Sequence, residues 1–394
     1  MSISKTFLNI LTIVFTLFLY TGYRFLQIDP LSGDPAASRV YNSICGTIIV
    51  CLMTFFILSN RKSLYYNNSI VIRYIIVWLF AIIVQTLLTS ESVGRFFVSL
   101  YYVTIWPISF IFFYLVSSNV KFSQRNDVVR RLVFMALLAV VLYYLTAPFS
   151  EMNRVGSIGN SYYLLCFLPW VFIIRDFRTR NLLIALLAIT IIVSSKRTSI
   201  LGFAIFFFVF ILCAGQNRNI LVKGVYVSIT VIAAIVIFYY IDQNLLGGHI
   251  TERFSNFEKG ADTRDGIRLA TLLLYQKSSV AVQLIGHGYN TVIGATPMEL
   301  SAHNDYVETL YDHGLLMFLL QILIIIRLIK LSIELYRKKN PLFPALFSSV
   351  ILYVMMAYTT HLILYPYYFL FLSGFWGFAE GNYVLQIQGE RVSE

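Results

Sequence analysis

Long apolar runs broken by short polar clusters set the pattern of this chain. Runs able to cross roughly 30 Å of hydrocarbon fall at about 7–26, 40–58, 70–88, 96–116, 132–145, 159–174, 182–193, 200–214, 224–241, 314–331, 344–359 and 367–378. They predict about twelve transmembrane helices. The first run follows Lys5 with no small-residue cleavage site directly behind it, so it reads as a retained helix and not a signal peptide. No internal repeat and no paired, broken helices of the inverted-repeat transporter kind are visible. The expected fold class is all-α: a polytopic integral membrane protein, one membrane domain over residues 1–394.

The polar clusters give sidedness. Alternate loops carry Arg61 and Lys62; Lys121, Arg125, Arg130 and Arg131; Arg175, Arg178 and Arg180; Arg218 and Lys223; and Arg337, Lys338 and Lys339. Positive residues favour the cytoplasmic side, so these five loops and both termini are expected there. The opposite short loops hold only Arg39, Arg95, Arg154 and the pair Lys196–Arg197. That pair, in "SSKRTS", lies on the wrong side for a topology signal and close to the membrane core, which makes it a functional candidate. One connection is far longer than the rest. Residues 242–313, between expected helices 9 and 10, form a loop of roughly 70 residues on the outer side. The stretch "GIRLATLLLYQKSSVAVQLIG" within it is amphipathic, so the loop is expected to be partly helical and to fold over the outer face.

Composition agrees with a membrane protein: 58% of residues are hydrophobic, 16% aromatic and only 12% charged, about half the charge of a soluble domain. The net charge of +11 does not indicate nucleic acid, because the basic residues come as short clusters between apolar runs. Cys45, Cys51, Cys166 and Cys213 all lie inside apolar runs and read as packing residues. His249, His287, His313 and His361 lack zinc-ligand spacing, and no paired carboxylates mark a metal cluster. Phosphate-loop, dinucleotide and nucleophile-elbow motifs are not found. No cofactor is expected.

Four stretches could carry chemistry. In "SAHNDYVETLYDHGLL", Asn304 or Asp305 can cap a helix that has Glu308 in its first turn, with Val307, Leu310 and Tyr311 on one face. That helix would run on through Gly314 into the tenth span. His303 lies just before its N-terminus, whose positive end disfavours an imidazolium and attracts anions. A histidine so placed suits a general base for a sugar hydroxyl; a local cap is the plain alternative. In "SSKRTS", Lys196 and Arg197 can hold phosphate oxygens, Arg197 through its fork; snorkelling to lipid headgroups is the plain alternative. In "DTRDGIRLATLLL", Arg264 and Arg268 share a helix face, and an anion or the acids Asp262 and Asp265 must separate the two charges. Arg268, continuous with Leu272, is better placed to point inward. In "NRVGSIGNSYY", Arg154 precedes a glycine-rich stretch that permits close ligand approach, though a plain turn explains it as well. Arg24 in the first span is a lesser anion candidate.

Together these features resemble the O-antigen polymerase and O-antigen ligase superfamily. The resemblance lies in a membrane-edge arginine after "SS", an outer-loop "RLA" arginine, a downstream "GHGYN", and "HN" followed by an aromatic-rich helix and a glycine, over about 194–318. It implies metal-independent inverting glycosyl transfer from undecaprenyl-pyrophosphate-linked glycans on the periplasmic face of a bacterial inner membrane. His303 then matches the essential histidine, Arg197 the membrane-edge arginine and Arg268 the outer-loop arginine. Arg197 and Arg268, with Lys196 or Arg264, would hold the pyrophosphate. Arg154, Asn304 and Tyr306 are candidates for substrate contact. Lipid-linked donor and acceptor glycans, membrane lipid and a chain-length regulator protein are the implied partners, and nucleic acid is not among them. A polymerase of surface polysaccharide, acting in lipopolysaccharide biosynthesis, is the first expectation. A ligase that transfers the glycan to lipid A-core is the second: His303–Asn304 and Gly314 keep the ligase spacing, while Met317 stands where Gly, Thr or Tyr is usual. A transporter or flippase is the third, and a membrane scaffold the last.

Overall fold

The computed structural model describes residues 5–25, 35–61, 69–90, 92–119, 127–135, 138–139, 156–193, 197–214, 236, 239–240, 243, 257–296, 301–360, 362 and 366–393. Most of the expected span at 224–241 and the second half of that at 132–145 lie outside them. The described residues form helices α1 (Lys5–Phe25), α2 (Pro35–Ser59), α3 (Ile70–Thr89), α4 (Val93–Asn119), α5 (Gly156–Phe172), α6 (Phe177–Val193), α7 (Arg197–Cys213), α8 (Phe257–Lys277), α9 (Val280–Ile285), α10 (Val292–Ala295), α11 (Asp305–Arg337), α12 (Phe343–Thr359) and α13 (Pro366–Ser393). No strand occurs among them.

The chain is a helical membrane protein, but the expectation of twelve spans needs correction. Three helical segments among the described residues are long and apolar enough to cross a bilayer: α3, Ser99–Ser118 within α4, and α11. Asn9–Phe18, Ile44–Ser59, Thr198–Cys213 and Phe343–Thr359 are shorter apolar stretches, the first two lying inside α1 (21 residues) and α2 (25 residues). Helix α12 has 17 residues, or about 25 Å at 1.5 Å per residue, which is at the lower limit for a span.

Two compact units make up the chain. The first comprises Met1–Ile70, Ile105–Ser199 and Tyr367–Glu394. Its core is aromatic. Trp170 on α5 packs its ring against Phe113, Phe375 and Phe378, with centroids 5.1–5.4 Å apart, and its indole N–H donates to the carbonyl of Phe371 at 2.9 Å. Gly374, Gly377 and Gly381 share one face of α13 and let that helix lie against the backbone of α4. A Cβ on Gly377 would overlap the Phe110 carbonyl, and one on Gly381 would overlap that of Tyr114. Ser109 donates to the Leu370 carbonyl at 2.8 Å and Ser373 to that of Trp106 at 3.1 Å across the same seam. Ser69 donates to the buried carboxylate of Glu380.

The second unit comprises Val71–Thr104 and Ile200–Pro366. Here the sequence 257–296 folds back on the first turns of α11. Ile267, Val292, Ala302 and Tyr311 form a small core, with Leu274, Tyr275, Ala295 and Val307 packed around it. The turn from α8 to α9 is closed by the Gln283 amide, which donates to the carbonyls of Tyr275, Gln276 and Ser278. Tyr275 donates its hydroxyl to Gln283 in return, and burial pushes its phenol above the ordinary value. Part of the 242–313 connection is thus an ordered helical cap with its own apolar centre. The expected helix through Gly314 forms, with one difference. Gly314 takes φ 76° and ψ 175° and kinks α11 there.

Candidate functional site

The polar chemistry of the second unit gathers where α11 begins. Asn304 is the N-cap: its side-chain oxygen accepts from the Tyr306 and Val307 amides at 3.0 and 3.1 Å. Of the two capping residues that the sequence allows, Asn304 takes the role. Asp305 turns away and accepts the Leu362 amide at 2.9 Å. His303, one residue before the cap and half-buried, has φ 50°. Left-handed backbone is uncommon for a residue with a side chain and persists where neighbours over-determine it.

Those neighbours are visible. The His303 amide donates to Oε1 of Glu308 at 2.8 Å and to Oγ of Ser301 at 3.3 Å. On its other side, Arg268 Nη2 donates to the His303 carbonyl at 3.3 Å and to the Tyr358 carbonyl at 2.9 Å. Arg268 Nε donates to the Ala302 carbonyl at 3.4 Å, and Nη1 pairs with Asp265 at 3.0 Å. The guanidinium also lies 5.1 Å from the centre of the Tyr358 ring. Four of its five N–H groups therefore have protein partners. Tyr358 ends near the C-terminus of α12, where carbonyls lack helical partners and attract cations. Asn304 Nδ2 donates to the same Tyr358 carbonyl at 3.1 Å. Tyr306 donates its hydroxyl to the Val354 carbonyl at 3.4 Å.

Arg264 lies one turn before Arg268 on α8, half-buried, with no hydrogen bond or ion pair among the described residues. The pairing of Asp265 with Arg268 separates the two arginine charges as the sequence anticipates. Arg197 is the first residue of α7. Lys196 and Arg154 lie outside the described residues. Among the described residues, no group of three or more His, Cys, Asp or Glu side chains is arranged to hold a metal ion. No disulfide joins the four cysteines.

Beneath this turn lies a second polar cluster that sequence reasoning missed. Asp312 is fully buried. Its carboxylate accepts the amides of Asn290, Thr291 and Val292 at 2.9–3.1 Å and the Thr291 hydroxyl at 2.8 Å. The last residue of the "GHGYN" stretch and the two residues after it are the partners of this acid. Gly286 and Gly314 both have positive φ, and each sits where a side chain would meet the other's backbone: a Cβ on Gly286 would lie 2.6 Å from the Gly314 nitrogen, and one on Gly314 would lie 2.6 Å from that of Gly286. Gln85 of α3 joins them. Its amide donates to the carbonyls of Ile285 and Asp312 at 2.6 and 2.7 Å, and its oxygen lies 2.8 Å from Nδ1 of His313. His287 stacks on Tyr311 at 4.0 Å and reaches the Tyr311 carbonyl and the Ser278 hydroxyl, each at 3.0 Å.

The arrangement holds the backbone of His303 at the positive end of α11, while a cation, Arg264, lies on α8. Such a place can bind an anion and accept a proton beside it. The signals for the missed residues are faint but present: a lone glutamine in the apolar run of α3, and the pair Asp312–His313 directly before a glycine. No protein-family model matches this chain, and no curated protein matches it either.

Proposed function

We propose that this protein is a membrane glycosyltransferase that joins undecaprenyl-pyrophosphate-linked repeat units of a surface polysaccharide on the outer face of the bacterial inner membrane. The supporting observation is the His303 turn. A histidine in left-handed backbone, gripped on both its amide and its carbonyl, stands at the N-terminus of a long apolar helix. An apolar chain with polar groups gathered at one helix entrance suits a lipid-borne, water-soluble-headed substrate.

The step balances without a metal or an acid. The acceptor sugar hydroxyl gives its proton to the His303 imidazole as its oxygen bonds to the anomeric carbon of the donor. The bond from that carbon to the phosphate oxygen breaks. The electron pair leaves with undecaprenyl pyrophosphate, and configuration inverts. Cations beside the leaving group neutralise its growing charge. Arg264 has donors to spare for this, and Arg197 and Lys196 are candidates for the same anion from the sequence. Pyrophosphate departs readily, so the paired carboxylates of glycoside hydrolases are not needed.

Reconstitution in vesicles with an undecaprenyl-pyrophosphate-linked repeat unit tests the proposal. A ladder of longer lipid-linked glycans is expected. Product formed only on addition of lipid A-core would make the protein a ligase, and movement across the bilayer without product would make it a transporter.

A further inference from the structure

We propose that Arg268 and Glu308 are positioning residues that act through the backbone of His303, so that Arg268 does not bind the pyrophosphate. The inference rests on the reading of His303 as the proton acceptor, and it departs from the role that the superfamily resemblance gives to Arg268.

The geometry carries it. Left-handed backbone is unfavourable for an L-residue with a side chain, so His303 needs holding on both sides. Glu308, one turn into α11 and 1% exposed, holds the amide at 2.8 Å. Arg268, from α8, holds the carbonyls of Ala302 and His303. Arg268 is itself fixed from beneath by the Tyr358 carbonyl and ring. A guanidinium with four of its five N–H groups on protein oxygens has one left for any ligand. It cannot offer the two-pronged fork that makes arginine a strong phosphate partner. Two side chains from two helices therefore set the backbone angle from which the imidazole projects. Arg264, one turn earlier and without such partners among the described residues, is a cation of α8 available to a phosphate.

The test uses the full chain in detergent micelles and the variants Arg268→Ala, Glu308→Ala, Glu308→Gln and Arg264→Ala. Diethyl pyrocarbonate modification of His303 is followed by mass spectrometry, with His287 as internal reference. Arg268→Ala and Glu308→Ala should raise the His303 rate severalfold and leave His287 unchanged. Glu308→Gln keeps a carbonyl acceptor and should return the rate close to wild type, and Arg264→Ala should not alter it. An unchanged His303 rate in the two alanine variants would overturn the proposal, as would a parallel rise at His287, which would mean general loosening. In the reconstituted reaction, Arg268→Ala should lower kcat while KM for the donor and inhibition by inorganic pyrophosphate stay as in wild type. Weakened pyrophosphate inhibition in that variant would return Arg268 to the leaving group. A wild-type protein that forms no glycan product defeats the functional reading alone, because the modification rates still decide the positioning role.

Discussion

Glycine brings backbone against backbone in both compact units, yet the two contacts are built differently. On α13, Gly374, Gly377 and Gly381 face α4 through ordinary helical backbone, and the seam is filled by aromatic rings and two serine hydroxyls. At Gly286 and Gly314 the backbone is left-handed on both sides, and the contact is ringed by Asp312, Gln85 and His313. The first contact needs only absent side chains. The second also needs unusual dihedrals and a set of buried hydrogen bonds. The difference teaches where this molecule spends polar groups. It limits them to two serine hydroxyls in the aromatic unit's seam and concentrates them beneath the His303 turn, where a kinked helix and a folded-back segment must be locked together.

The comparison breaks most sharply at Asp312. Replacing it with Ala leaves three amides, that of Val292 fully buried, without their acceptor and takes one of two acceptors from the Thr291 hydroxyl. The expected loss is about 4 kcal/mol, read as a fall in the unfolding midpoint of the solubilised protein. A midpoint within error of wild type would show that the carboxylate is not a latch. Gly314→Ala should come next, at about 3 kcal/mol, because the new Cβ meets the backbone at Leu284–Gly286 and the dihedrals oppose it. It should also alter diethyl pyrocarbonate reactivity at His303, since the kink closes the turn from below.

Gly377→Ala tests the other half of the comparison. A methyl against the Phe110 carbonyl should cost about 2 kcal/mol by overpacking. It should leave the His303 modification rate unchanged. Should that rate rise as much as in Gly314→Ala, the two contacts would not be independent. Gln85→Leu is expected to be mildest, at about 1.5 kcal/mol. It removes donors to the Ile285 and Asp312 carbonyls but keeps the shape of α3 and leaves Gly288 donating to Asp312. Hydrogen exchange at the kink should speed up even where the midpoint barely moves.

Much of the helical order was legible because apolar runs are a strong signal. The expected runs at 7–26, 40–58, 70–88 and 344–359 correspond closely to α1, α2, α3 and α12. The number of full crossings was not legible, since a run of 17 apolar residues and one of 20 look alike in hydropathy but differ in reach. The "HN" turn could be seen in advance because a capping residue, a first-turn acid and an apolar face follow one another in the chain. Its support could not. Gln85 and Tyr358 come from distant segments, and the partners of Asp312 at Asn290, Thr291 and Val292 are set by tertiary structure. Arg268 shows the same limit from the other side. Its spacing to Arg264 placed it on the right face, but the carbonyls that occupy its donors are set by tertiary structure.

The measurement that bears most directly on the central claim is chain extension by His303→Ala in vesicles, beside the wild-type protein at equal membrane content. With an undecaprenyl-pyrophosphate-linked repeat unit as the sole glycan, wild type should give a ladder of longer lipid-linked products and His303→Ala should give none. A ladder of the same length and rate from His303→Ala would contradict the account.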